Sequence, residues 1–242
     1  MTPILELEKL NKSFGAIKVA DDLSYSLMQG EALGIIGPNG AGKTSMFNLI
    51  TGALSPDSGI VRYLGKNITN YSPPLRCRAG IARSFQVPQP FGGMTVFENT
   101  LVASKHGANL NEDRAQNLCV EVLEQTGLIN KANLLAAQLT LLERKRLELA
   151  RALCSKPKLL LLDEIAGGLT EGECNLLVKT IKKINNNGIS IIWIEHIVHA
   201  LLAVVDRLIV INFGHKVADG EPTKTMATRN VQEIYLGIEI DG

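Results

Sequence analysis

No apolar run in the sequence is long enough to cross a bilayer. The greasiest stretches are Leu159 to Leu162, Ile189 to Ile194 and Leu208 to Ile211, all far short of the ~20 residues that a membrane-spanning helix requires. Any membrane role must therefore come through a partner. Cysteine is scarce: Cys77, Cys119, Cys154 and Cys174 lie far apart without a CxxC pair, which argues against a disulfide framework or a zinc site and fits free thiols in a reducing compartment. Excess charge is missing too. With 25 basic and 24 acidic residues, no overall field points towards nucleic acid or an anionic surface. The opening MTPILELEKLNKSF places Glu6, Lys9 and Lys12 where a secretory signal needs an unbroken apolar core, so none is expected. There is no internal repeat and no low-complexity tract.

What is present is a chain of 242 residues, 45% of them hydrophobic, enough to bury a sizeable core. Short apolar runs alternate with helical patterns, the mark of an α/β fold with parallel strands and crossover helices. Ala32 to Ile36, Leu159 to Leu162 and Ile189 to Ile194 are nearly continuous in apolar residues, as strands covered on both faces are; Leu208 to Ile211 is a fourth. Ala115, Leu118, Cys119, Val122 and Leu123 recur at helical spacing behind Asn111 as N-cap, and Cys174, Leu177, Ile181 and Ile184 do so ahead of Gly188. Residues 88–137 open with a cluster of Pro and Gly and continue in helical patterns without a strand, which predicts a helical insertion in a core made of 1–87 and 138–242. Leu5 to Glu8 alternates apolar and charged residues, and Asp206 to Asp219 predicts a hairpin around Gly214, so the ends are expected to be antiparallel.

The stretch Gly37-Pro-Asn39-Gly40-Ala41-Gly42-Lys43-Thr44 fits GxxxxGK[ST], with the strand-like EALGII before it and a helical pattern from Met46 after it. Glycines at 37, 40 and 42 let backbone N–H groups converge on phosphate oxygens without interference from a Cβ, and the following helix adds the positive end of its dipole. Lys43 is placed to bridge β- and γ-phosphates, Thr44 to hold Mg²⁺, and Ser45 to make a further phosphate contact. Such a loop alone does not separate kinase, GTPase and ATPase. The strand ending Leu162-Asp163-Glu164 narrows the choice: Asp163 suits Mg²⁺, and Glu164 suits a general base that activates water. A second strand ends in Glu195-His196, where the histidine could order that water. Arg144-Lys145-Arg146 reads as a solvated helix face rather than a nucleic-acid contact.

In this order the motifs resemble the ABC ATPase family over essentially the whole chain. The resemblance implies an α/β P-loop NTPase fold with a mostly parallel core sheet, an antiparallel β subdomain and a helical subdomain. It gives Phe14 the role of stacking on adenine. Gln86, in ARSFQ, becomes the glutamine that senses Mg²⁺ and the γ-phosphate and links to a transmembrane partner, and His196 the switch histidine. Leu147 to Leu153 matches the helix after the family signature. MTVFENTLVA, KRLELARAL and the ending EIYLG are similar to ATP-binding subunits of branched-chain amino acid importers. That implies ATP and Mg²⁺ as cofactors and a second, unlike ATPase subunit. It also implies two permease subunits that hold the chain on the inner face of the cell membrane, and indirectly a solute-binding protein. No nucleic acid is expected, and urea, amides or other amino acids are alternative solutes. A non-hydrolysing scaffold and a soluble ABC ATPase outside transport are the rival readings.

Two departures stand out. Where the family has LSGGQ the chain reads Leu139-Thr140-Leu141-Leu142-Glu143, keeping a hydroxyl at Thr140 for the nucleotide of the facing subunit but losing both glycines. Ile165 replaces the proline after the catalytic glutamate, and Thr170 an aspartate. The resemblance then implies an asymmetric dimer: nucleotide on this chain's own loop is hydrolysed against an intact partner signature, and nucleotide facing LTLLE turns over slowly.

Overall fold

The computed structural model describes residues 3–236. Two sheets share one interior. The first is antiparallel, in the order β2–β1–β4–β5, and is made of β1 (Leu5–Phe14), β2 (Ile17–Leu27), β4 (Ser58–Tyr63) and β5 (Lys66–Asn67). The second has six strands: β3 (Ala32–Ile36), β6 (Ile81–Ser84), β7 (Leu159–Asp163), β8 (Ser190–Ile194), β9 (Arg207–Asn212) and β10 (His215–Gly220), ordered β10–β9–β3–β8–β7–β6. Neighbours from β9 to β6 run parallel, and β10 returns antiparallel through the expected hairpin, with Phe213 and Gly214 both at positive φ. The α/β organisation with a mostly parallel core sheet and an antiparallel β sheet is thus as expected.

The continuous apolar runs have a physical cause in this layering. Successive side chains of a strand point to opposite faces. Leu160 and Leu162 pack with Trp193 against the helical side, while Leu159 and Leu161 join Ile192, Ile194 and the antiparallel sheet on the other. Both faces are covered, so neither can be polar.

The helices are α1 (Lys43–Thr51), α2 (Pro73–Ala79), α3 (Val96–His106), α4 (Glu112–Gln125), α5 (Leu141–Cys154), α6 (Glu171–Asn186), α7 (Val198–Leu202), α8 (Pro222–Met226) and α9 (Arg229–Leu236). Asn111 caps α4 by accepting from the Arg114 N–H, as its position predicts. Thr95, Thr140 and Thr170 each start a helix through a capping box with the glutamate three residues on. Between residues 88 and 137 lie α3 and α4, with one isolated bridge pairing Thr95 and Leu135. α5 packs against both, so the helical layer draws on residues past 137. α9 covers most of EIYLG; its Gly237 lies outside the described residues.

Candidate functional site

The site is built where β3, β7 and β8 end side by side. β3 leads into the loop of residues 37–42, and α1 leaves it. Two glycines there are dictated by contact: a Cβ on Gly37 would stand 2.1 Å from the Ile211 carbonyl oxygen, and one on Gly42 2.2 Å from that of Val19. Gly42 also holds φ at 103°, in the left-handed region that only glycine enters cheaply. No side chain caps α1, so its first turn keeps unsatisfied N–H groups suited to an anion. Those residues line a cavity of about 290 Å³, formed by Asn39, Gly40, Ala41, Gly42, Lys43, Thr44, Ser45, Ile17, Val19 and Glu164. Lys43 is buried, and its ammonium donates to the carbonyls of Gly37 at 2.6 Å and Pro38 at 3.0 Å. Burial pushes its pKa down, and the charges of Glu164 and Asp163 work against that shift.

Asp163 ends β7, and Glu164 follows with φ at 46°, a strained conformation for a side-chain-bearing residue that costs about 1–3 kcal/mol and needs support from its surroundings. The support is visible: the Glu164 N–H donates to the Ile194 carbonyl at 2.8 Å. The carboxylate is held from two sides. Gln86 Nε2 donates to Oε2 at 2.5 Å, and His196 Nε2 lies 2.9 Å from Oε1. Gln86, Glu164 and His196, which come from three separate stretches of sequence, are thus brought together. Next to them, Thr44, Gln86 and Asp163 border a shared cavity of about 550 Å³, a set of hard oxygen donors of the kind Mg²⁺ takes together with phosphate.

Two expected residues stand further off. Phe14 is half-exposed at the end of β1, with Lys12 Nζ 5.6 Å above its ring; its cross-strand partner Ile17, not Phe14 itself, lines the cavity over the loop. Thr140 does not border that cavity. Its hydroxyl accepts the Glu143 N–H at 3.4 Å while its own N–H donates to the Glu143 carboxylate at 2.9 Å, so in this chain it begins α5.

Three residues escaped the sequence reading. Arg83 donates to Asp163 Oδ2 at 2.5 Å and to Asn48 Oδ1 at 2.6 Å, between the rings of Phe47 and Phe85; an arginine in the apolar strand IARS was the available signal. Glu195 is 1% exposed and accepts from the backbone at Ala166 and His196. Lys145 corrects an expectation: read as part of a solvated face, it is 6% exposed. The helical repeat explains this, since Lys145 falls on the stripe of α5 that also buries Glu148, Leu149 and Ala152.

Residues 20–167 match the family model described as ABC transporter. A high-affinity branched-chain amino acid transport ATP-binding protein of Pseudomonas aeruginosa, BraF, is 33% identical over 97% of this chain and 98% of its own length. The chain belongs to the ABC transporter ATPase family. Escherichia coli LivG, with a corresponding description, is 31% identical over 97% of this chain and 98% of its own length. So is the lipopolysaccharide export system ATP-binding protein LptB of Haemophilus influenzae, at 31% over 97% of each. An ATP-binding cassette of an ABC transporter solved in its ADP conformation superposes with a TM-score of 0.90 at 33% identity, covering 98% of this chain and 100% of that one. An ABC ATPase binds nucleotide and hydrolyses ATP for a transporter, and among the described residues no helix is long and apolar enough to cross a membrane.

Proposed function

We propose that this ABC ATPase drives the uptake of branched-chain amino acids or related small polar solutes, as one of two unlike ATPase subunits beneath a pair of permease subunits on the inner face of the cell membrane. The observation that carries its catalytic half is the carboxylate of Glu164, held between Gln86 and His196 at 2.5 and 2.9 Å and bordering the same cavity as Lys43 and Thr44. In that place Glu164 is the base that takes a proton from the attacking water. His196 orients the water and the γ-phosphate, and Lys43 with the N–H groups of residues 39–45 balances charge on the phosphates. Phe14 and Ile17 offer an apolar platform beside the loop for the adenine. Mg²⁺, when bound, offsets phosphate charge. Thr44, Asp163 and Gln86 would hold it, and Asp163 keeps Oδ1 for this while Oδ2 accepts from Arg83.

The uptake half rests on the full-length likeness to BraF and LivG, with LptB as the export counterexample. A cleft of about 460 Å³ between α2, β6, α3 and α5, with Phe85 and Phe91 exposed in its wall, offers the permease helices an apolar seat, and residues 88–137 are the proposed insertion that forms one side of it. The altered signature supports unlike partners. The test is to purify the chain with the proteins it carries from its own cell, reconstitute them in vesicles, and follow ATP hydrolysis and uptake of labelled leucine. Glu164→Gln is expected to lower both by about 10²–10⁴-fold, and the equivalent change in the partner ATPase by much less. Equal losses from the two changes would end the asymmetric reading, unchanged turnover in Glu164→Gln would end the base assignment, and ATP-driven transport of none of these solutes would end the uptake reading.

A further inference from the structure

We infer that Lys145 and Glu195 form a buried clamp that positions the catalytic glutamate by fixing the three residues after it, and so joins helix α5 to the end of the catalytic strands. This rests on the reading of Glu164 as the base. Five hydrogen bonds carry it. Lys145 Nζ donates to the carbonyls of Ile165 at 3.0 Å and Gly167 at 2.5 Å. Between those two carbonyls, the Ala166 N–H donates to Glu195 Oε2 at 2.9 Å. The other oxygen of Glu195 accepts from the N–H groups of His196 at 2.9 Å and Ile197 at 3.3 Å. A cation and an anion from different elements therefore grip one short backbone segment on alternate groups, and the anion also grips the segment that carries His196.

The arrangement is costly enough to need a reason. An ammonium and a carboxylate this deeply buried are each expensive to desolvate, and an apolar pair of similar volume would serve stability as well or better. What an apolar pair cannot do is hold backbone groups at fixed positions. Glu164 needs that service, because its φ of 46° is not a conformation the chain adopts unaided. The position of Lys145 adds a second consequence. It stands on the first turns of α5, four residues and so about one turn after the altered signature residue Leu141, and shares a cavity of about 290 Å³ with Leu141, Gln86, Glu164, Glu195 and His196. A shift of α5 relative to β7 would be transmitted by Nζ to the residues beside the base. Lys145 and Glu195 are thus positioning residues. Neither is placed to touch the nucleotide, since Lys145 Nζ and both carboxylate oxygens of Glu195 are engaged with backbone groups.

The test compares Lys145→Met, Lys145→Arg, Glu195→Gln and Glu164→Gln with the unaltered chain in the assembled transporter. Lys145→Met keeps length without charge, and Glu195→Gln keeps shape but turns one acceptor into a donor facing N–H groups. Because about 1 Å of misplacement costs on the order of 100-fold in rate, both are expected to lower kcat by roughly 10- to 100-fold. KM for ATP should stay within about twofold, because binding common to ground and transition state is untouched. Lys145→Arg retains donors for both carbonyls and should recover most of the rate. Amide hydrogen exchange of residues 164–168 should speed up in Lys145→Met and Glu195→Gln while the phosphate loop stays protected; this readout needs no turnover, and Glu195→Gln serves if Lys145→Met does not fold. Wild-type kcat in Lys145→Met, or equal losses of ATP affinity and rate, would overturn the clamp while Glu164→Gln remains inactive. Full turnover in Glu164→Gln would overturn the base assignment and the clamp with it.

Discussion

Replacing Arg83 by methionine should destabilise the protein through one charge, that of Asp163. The guanidinium and the carboxylate are 2.5 Å apart with side-chain exposures of 8% and 5%, so a carboxylate left alone is rehydrated only through the cavity it borders. Removing one member of a buried pair costs about 3–5 kcal/mol, mostly as the penalty on the ion left behind. The contacts with the rings of Phe47 and Phe85, 5.4 and 5.1 Å away, add roughly 0.5–1 kcal/mol each, part of which methionine recovers by packing. With a urea m-value of roughly 3 kcal/mol/M, the upper end of the usual range, the midpoint should fall by about 1–1.5 M. The assay is built into the molecule. Trp193 is the single tryptophan, is fully buried, and pairs in register with Leu162, next to Asp163, so its fluorescence follows unfolding at the site. The decisive comparison is the double variant Arg83→Met with Asp163→Asn. If the stranded carboxylate is the cause, the second change should return about 2–3 kcal/mol, a coupling well outside additivity. A loss below ~1 kcal/mol in Arg83→Met, or strict additivity of the two changes, would refute the reasoning.

Two other outcomes follow from the same geometry. Gly42→Ala places a Cβ 2.2 Å from the Val19 carbonyl oxygen at a φ of 103°, whereas Gly40→Ala at φ 81° meets nothing within 4 Å; titration with a fluorescent nucleotide should show at least ~10-fold weaker binding for the first, about 1.4 kcal/mol, and equal affinities would contradict the steric account. For Asp219, burial disfavours the charged form, but hydrogen bonds from Arg207 and Lys216 outweigh it and hold the carboxyl below its ordinary 3.8. A lowered carboxylate pKa contributes stability that is full above the unfolded value and is lost as pH falls through the folded one. The gap in thermal stability between wild type and Asp219→Asn should therefore close as melts are taken from pH 7 down to about 3, and a constant gap would refute the link.

The catalytic strands and the phosphate loop were legible because their causes are local. A strand buried on both faces has to be apolar at every position, and the chain shows this at β3, β7 and β8; a loop that clashes with Ile211 and Val19 at any Cβ has to be glycine at 37 and 42. Partnership between distant side chains was not legible. Lys145 sits between two arginines in the sequence, and only the closure of α5 over residues 165–167 turns it from a surface charge into a buried donor. Glu195 is overshadowed by His196, its neighbour. Arg83 required knowing that β6 lies beside β7, because nothing nearby in sequence offers it a carboxylate. Gln86 was found through its resemblance, and its hydrogen bond to Glu164 depends on the same strand neighbourhood.

The altered signature shows how a chain can change one of its two surfaces without changing its fold. Glycines at 141 and 142 would add flexibility at the start of α5, where the helix needs none. Thr140 and Glu143 supply a full capping box, so the leucines sit in a helix that is begun by other residues and tolerates them. Leu141 is half-exposed, and its Cδ2 lies 3.5 Å from where a Gly168 Cβ would be. A facing subunit would thus meet a bulky apolar side chain where the family offers bare backbone, and close approach of a phosphate to N–H groups there is obstructed. The set Lys43, Asp163, Glu164 and His196 keeps its residues, although Leu141 borders the same cavity of about 290 Å³ as Glu164 and His196. A nucleotide site that used this signature would be weakened while this chain's own phosphate loop and carboxylates keep their residues, and that inequality is the ground on which the unlike partner is proposed.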